Sequence, residues 1–182
     1  TRRRRPARPI SSTSSTTTSA IEGIDAITYS TDRWDDAKKF FADWGLKSAN
    51  QTDAQQVWET LNGCQVRVRR TDDAELPPAM EAGPTLREVT WGVTDAAALD
   101  KLVPALSKAP GFEDRRATDG TLRALDPHGL RVIFQVTQKH AIDIKGAPTN
   151  PWGDVRRIDT PSPIYERAEP IEVGHVVFFT NK

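Results

Sequence analysis

The sequence predicts an α+β fold in which paired βαβββ repeats form curved, mixed-sheet cups. Two observations carry that prediction. The order strand, helix, strand, strand, strand occurs twice, in units of about sixty residues. Each unit's helix also carries one apolar stripe, which has to be packed against the sheet of its own unit.

The first unit begins at Ile21. Ile24, Ala26, Thr28 and Ser30 alternate with Asp25, Ile27 and Tyr29, which is the period of a strand. Thr31 or Asp32 is suited to cap a helix bearing Trp34, Ala37, Phe40, Phe41 and Trp44 at spacings of three and four, and Gly45 is placed to end it. Extended runs follow over 46–49, 56–61 and 64–70. The last two flank Asn62-Gly63, a pair that readily takes left-handed backbone and so marks a hairpin.

The second unit repeats the order. Residues 86–93 form a strand pattern, and Thr94 or Asp95 caps a helix over 96–107 with Leu99, Leu102, Val103 and Leu106 on one side. Pro104 lies inside that helix. It has no N–H to donate and its ring crowds the preceding turn, so a kink or an early end is expected there. Strands over 112–118, 121–125 and 130–137 complete the unit, separated by Asp119-Gly120 and Asp126-Pro127-His128-Gly129.

Composition bounds the remaining choices. Hydrophobic residues make up 37% and charged residues 27%, with 13 prolines and 11 glycines, as in a soluble globular protein with extended polar stretches. No apolar run approaches the roughly 18 residues of a membrane span, so no membrane partner is expected. Cys64 is the only cysteine, which rules out an internal disulfide and fits a reducing, cytoplasmic setting. The formal net charge is zero, yet residues 1–20 hold five arginines and no acid, leaving 20 basic against 25 acidic residues in the remainder. A nucleic-acid partner would call for the opposite balance on the folded body.

These shifts set the domain boundaries. Residues 1–20 are an Arg/Ser/Thr-rich leader with too little apolar surface to fold, and are expected to be disordered. Residues 21–138 hold the double βαβββ domain. Residues 139–170, rich in proline and polar side chains, read as a connector that Trp152 helps to anchor. Over 171–182 an apolar, β-branched run begins a further strand. An unfinished apolar strand is an aggregation hazard, so the chain reads as a fragment cut where a second domain starts.

Three segments carry a family resemblance. They are Ile24-Asp25-Ala26-Ile27-Thr28-Tyr29 with the helix ending Phe40-Phe41-Ala42-Asp43-Trp44-Gly45-Leu46, then Leu125-Asp126-Pro127-His128-Gly129-Leu130-Arg131-Val132, then Val173-Gly174-His175-Val176-Val177-Phe178. In this order and spacing the chain resembles the vicinal oxygen chelate superfamily of glyoxalases, bleomycin-resistance proteins and type I extradiol dioxygenases. It is most similar to the N-terminal part of a two-domain extradiol dioxygenase.

The resemblance implies a metal held by two histidines from first strands and one glutamate from a closing strand. Such a set holds iron(II) on one face and leaves the other positions open for a catecholate and dioxygen. Alignment with the family places Ala26, Glu88 and His175 at the histidine position, and Arg67 and Ile133 at the glutamate position. Alanine and isoleucine offer no donor atom, arginine repels a cation, and a single carboxylate does not hold iron. The 21–138 domain is therefore expected to be metal-free, with no catalytic residue in the chain. His175 is the candidate metal ligand of the following domain. For the parent protein the resemblance implies Fe(II), or else Mn(II), a small aromatic substrate, dioxygen and a homo-oligomer. The alternative is a non-catalytic module that binds a small molecule or dimerises.

Other candidates read as structural. Trp34, Trp44, Trp58 and Trp91 fall on helices or strands, where packing is their ordinary role. His128 in a turn and His140 in the connector are expected at the surface. Cys64 has no neighbouring base or helix start to make it a nucleophile. No Ser-His-Asp arrangement, phosphate loop or dinucleotide glycine pattern is present.

Overall fold

The computed structural model describes residues 20–143 and 166–178. The rest of the leader, most of the connector with Trp152, and the last four residues lie outside the described residues.

Ten elements follow in the expected order: β1 (Ile21–Ser30), α1 (Trp34–Asp43), β2 (Lys47–Gln51), β3 (Gln55–Glu59), β4 (Gln65–Arg69), β5 (Thr85–Val93), α2 (Ala96–Leu106), β6 (Glu113–Arg115), β7 (Thr121–Leu125) and β8 (Arg131–Val136). The strands make one eight-stranded mixed sheet in the order β2-β3-β4-β1-β5-β8-β7-β6. β1 and β5 pair antiparallel at its centre, while β4 lies parallel to β1 and β8 parallel to β5. The two repeats thus meet strand to strand, and each contributes half of the sheet. This is the α+β architecture of paired βαβββ units predicted above.

The helices cover one side, over two apolar clusters. Ile24, Ile27, Trp58, Val66, Val68, Leu86 and Val89 form the larger, with Trp34, Ala37 and Phe41 of α1 packed against it. Val93, Ala98, Leu99 and Leu122 form the smaller, beneath α2. α2 seats well: Asp95 caps it by accepting a 2.7 Å bond from the Ala98 amide, and Ala98 and Leu99 are buried. Pro104 does not cut it short. It lies in the last turn, so the intrahelical bond it removes is one that fraying would weaken anyway.

α1 departs from expectation in two ways. Its N-cap is Arg33 rather than Thr31 or Asp32; the Thr31 hydroxyl instead accepts from the Arg33 amide at 3.0 Å and shapes the turn before the helix. Its stripe is also only partly used. No residue of α1 is fully buried, and Phe40 and Trp44 are 58% and 53% exposed. The two rings lie on the outer flank of the stripe, 5.7 Å apart, packed on each other rather than on the sheet.

The Asn62-Gly63 reversal is longer than a two-residue hairpin. Asn62 Oδ1 accepts from the Cys64 amide and the Thr60 hydroxyl, which spreads the turn over 60–64, with Gly63 at φ 87°. The Leu61 and Asn62 amides then donate to the carbonyls of Pro170 and Ile171. Those two bonds tie down a segment that forms no strand in its described part, 171–178. Val173, Val176 and Phe178 pack against the larger cluster instead. No helix among the described residues is long and apolar enough to cross a membrane.

Candidate functional site

Residues directly opposite one another in a sheet share a face, so the pairing register shows which side chains meet on the side away from the helices. Arg67 pairs with Thr28, Thr28 with Glu88, and Glu88 with Arg131, which gives one row across four strands. Gln65, Ala26, Thr90, Ile133 and Arg123 form the neighbouring row across five. The four family ligand positions that lie in the domain, Ala26, Glu88, Arg67 and Ile133, are thereby brought together on one face. The sheet curls enough for Arg123, four strands away from Arg67, to act on it electrostatically.

The chemistry on this face is that of guanidinium groups. Arg131 Nη1 lies 2.8 Å from Glu88 Oε1, and both side chains are largely buried. Arg69 pairs with Asp73, and Arg123 with Asp119. Arg67 is in no ion pair among the described residues. Its Nε and Nη2 both donate to Gln65 Oε1, at 3.0 and 2.8 Å, and Gln65 Nε2 donates in turn to Glu59 Oε1 at 3.0 Å. Burial pulls the Arg67 pKa below the usual arginine range, Glu88 pushes it back up, and the positive charge of Arg123 lowers it again. Thr28 and Thr90, each 1% exposed, have hydroxyls with no partner among the described residues.

A metal does not fit this donor set. Ala26 and Ile133 have nothing to coordinate with, Arg67 brings positive charge to the position of a carboxylate, and Glu88 is already held by Arg131. Among the described residues no three of His, Cys, Asp and Glu gather closely enough to hold a metal ion.

His175 stands elsewhere. It is exposed and lines a groove of about 870 Å³ on the helix side of the sheet, between Phe40, Phe41 and Trp44 of α1 and Ile27, Tyr29, Val66 and Val68 of the strands. Burial there raises the Tyr29 pKa. The structure therefore brings Ala26, Glu88, Arg67 and Ile133 together and leaves His175 on the opposite face. His140 is exposed, as expected, but His128 is half-buried. Its Nδ1 is enclosed with no hydrogen-bond partner among the described residues, and its ring lies 6.5 Å from that of Phe178.

Several site residues escaped the sequence reading. Arg131, Arg123, Gln65, Thr28 and Thr90 sit at alternating strand positions on one face of the sheet, a period-two polar pattern that is visible in the sequence. Asp25 was missed as a brace. Its buried carboxylate accepts from Thr137 Oγ1 at 2.9 Å, Gln135 Nε2 at 3.0 Å and the Gln138 amide at 3.1 Å.

No protein-family model matches the chain, and no curated protein does. Solved structures do. The Mn(II)-bound glyoxalase from Novosphingobium aromaticivorans is similar at 21% identity over 70% of this chain and 43% of that one, with a TM-score of 0.52. Homoprotocatechuate 2,3-dioxygenase from Brevibacterium fuscum, in its anaerobic complex with 3,4-dihydroxyphenylacetate, is similar at 14% identity over 66% of this chain and 38% of that one, with a TM-score of 0.50. The chain thus spans less than half the length of either. By its element order, its sheet topology and these two likenesses, the chain has the fold of the vicinal oxygen chelate superfamily, to which glyoxalases and extradiol dioxygenases belong.

Proposed function

We propose that this chain is the N-terminal, non-catalytic part of an iron(II)-dependent extradiol dioxygenase that opens catechol-type rings with dioxygen. The observation that supports this reading is the identity of the four residues gathered on the inner face. The fold keeps the geometry of a metal cup, while Ala26, Arg67 and Ile133 leave it without donors and Arg131 engages the remaining carboxylate. In such a protein a second domain carries the metal, with His175 as its first ligand. The chemistry also allows Mn(II) in place of iron, and the parent is read as a cytoplasmic homo-oligomer.

The test is oxygen uptake on catechol by a longer product of the same gene after anaerobic iron loading. Ring cleavage that is lost, together with bound iron, in His175→Ala supports the reading. Uptake and iron content unchanged by that substitution would sink His175 as a ligand, and a longer product with no metal-dependent activity would sink the dioxygenase assignment. The second reading, a stand-alone small-molecule-binding module, is favoured by the same donor-poor cup. It predicts no iron-dependent activity in any product.

A further inference from the structure

We infer that the groove beneath α1, on the opposite side of the sheet from the cup, binds a neutral, flat, apolar molecule whose carbonyl accepts a hydrogen bond from the Tyr29 hydroxyl. This site needs neither a metal nor a following domain.

The two repeats provide an internal comparison. α2 seats on its half of the sheet with Ala98 and Leu99 buried, whereas α1 buries none of its residues fully. The α1 stripe is the more aromatic of the two, yet Phe40 and Trp44 stay more than half exposed. Between α1 and the strands lies the groove of about 870 Å³, inside the roughly 300–1,000 Å³ of small-molecule sites. Val66 and Val68 at its floor belong to the core. The surface left for a ligand comes from the exposed Phe40, Trp44 and Val177 and the half-buried Tyr29, and ring faces of this kind suit a flat partner.

The groove is held open by specific contacts. Arg167 Nη2 donates to the Ala42 carbonyl at 3.2 Å, and the Leu61 and Asn62 amides donate to the Pro170 and Ile171 carbonyls at 2.9 and 3.0 Å. Gly45 permits this approach, because a Cβ there would strike the Ala168 carbonyl. The segment tied down in this way brings Val173 and Val176 against the core, where they line the groove.

Charge and hydrogen bonding define the ligand. Arg33 is the one Lys or Arg among the described residues that line the groove, and it is paired with Asp36 at 2.7 Å. Glu172 adds a second carboxylate, which accepts from Asn62 Nδ2 at 3.4 Å. An anion would meet two carboxylates here and no unpaired guanidinium or ammonium, so the lining favours a neutral molecule. Tyr29 lines the groove, and its hydroxyl has no hydrogen-bond partner among the described residues. Burial raises its pKa, so the phenol keeps its proton and acts as a donor. One donor among apolar walls matches one carbonyl on an apolar body.

The experiment is titration of this chain with the neutral naphthyl ketone Prodan and with the anionic dye anilinonaphthalene sulfonate, followed by dye emission, calorimetry and amide NMR. Saturable binding of one Prodan per chain is expected, with shifted amides at Tyr29, Trp44 and Val176 and with the sulfonate bound more weakly. Tyr29→Phe removes only the hydroxyl. It should weaken Prodan by about three- to ten-fold and move the emission of the bound dye to the blue, since a hydrogen bond to the ketone shifts it to the red. Trp44→Ala removes an exposed ring, which leaves the core intact, and should weaken Prodan by about ten-fold. Val136→Ala, at an exposed apolar side chain on β8, should leave binding unchanged. No saturable binding, binding that neither Tyr29→Phe nor Trp44→Ala weakens, or a sulfonate bound more tightly than Prodan would overturn the proposal. So would a concentration-dependent dimer that excludes the dye, which would give this face to a second copy of the chain.

Discussion

Arg131 Nη1 lies 2.8 Å from Glu88 Oε1, and the same nitrogen donates to the Glu75 carbonyl at 2.6 Å. The one carboxylate on the cup's ligand positions is therefore engaged by a cation from the adjacent strand, itself tied to the 70s loop. Glu88→Gln keeps the shape and removes the charge that Arg131 faces. The expected loss is about 1–3 kcal/mol, the range for a hydrogen bond between charged groups with little solvent around it. Urea denaturation checks it; no loss of stability would mean that the pair does not form in solution.

Asp25 links the two repeats through the end of β8 and the two residues that follow it. It accepts from three donors on Gln135, Thr137 and Gln138, so Asp25→Asn turns an acceptor into a donor against donors. The expected cost is about 2–3 kcal/mol. A Cβ at Gly92 would fall on this carboxylate and on Thr137, so Gly92→Ala should act through the same contact. The two substitutions together should cost less than the sum of each alone, and a double-mutant cycle measures this directly.

Asp119 gives the fold a pH dependence whose sign can be stated. Burial pushes its carboxyl up, but the Thr121 hydrogen bonds and the charges of Arg123 and Arg115 outweigh this and leave it below the ordinary aspartate range. A depressed folded pKa contributes stability that is present above the unfolded value of about 4 and is lost as pH falls through the folded pKa. Asp119→Asn should therefore be less stable than the parent near pH 7, with the gap closing on acidification below about pH 4. Melting curves across that range test it; a gap that widens in acid would contradict it.

Much of the fold was legible in the sequence because periodicity and turn chemistry are local. Asp95 caps α2, the element order repeats as read, and the strands agree within a few residues. What escaped was set by tertiary partners. Whether Phe40 and Trp44 are buried depends on how closely α1 approaches the sheet, and the α1 stripe alone does not fix that distance. The 171–178 run is apolar and β-branched, yet strand formation needs a sheet edge in register, and its side chains dock on a core instead. The cup was legible in what it lacks, at Ala26, Arg67 and Ile133. What fills it was not, because the Glu88–Arg131 and Gln65–Arg67 contacts come from a register and a side-chain geometry that single positions do not reveal.

The central claim is that this cup has exchanged metal chemistry for guanidinium chemistry. The most direct test is anaerobic loading of the chain with Fe(II) or Mn(II), followed by gel filtration and metal analysis, for the parent and for Glu88→Gln. The account predicts metal well below one equivalent in both, with no difference between them. One equivalent retained by the parent and lost in Glu88→Gln would contradict it.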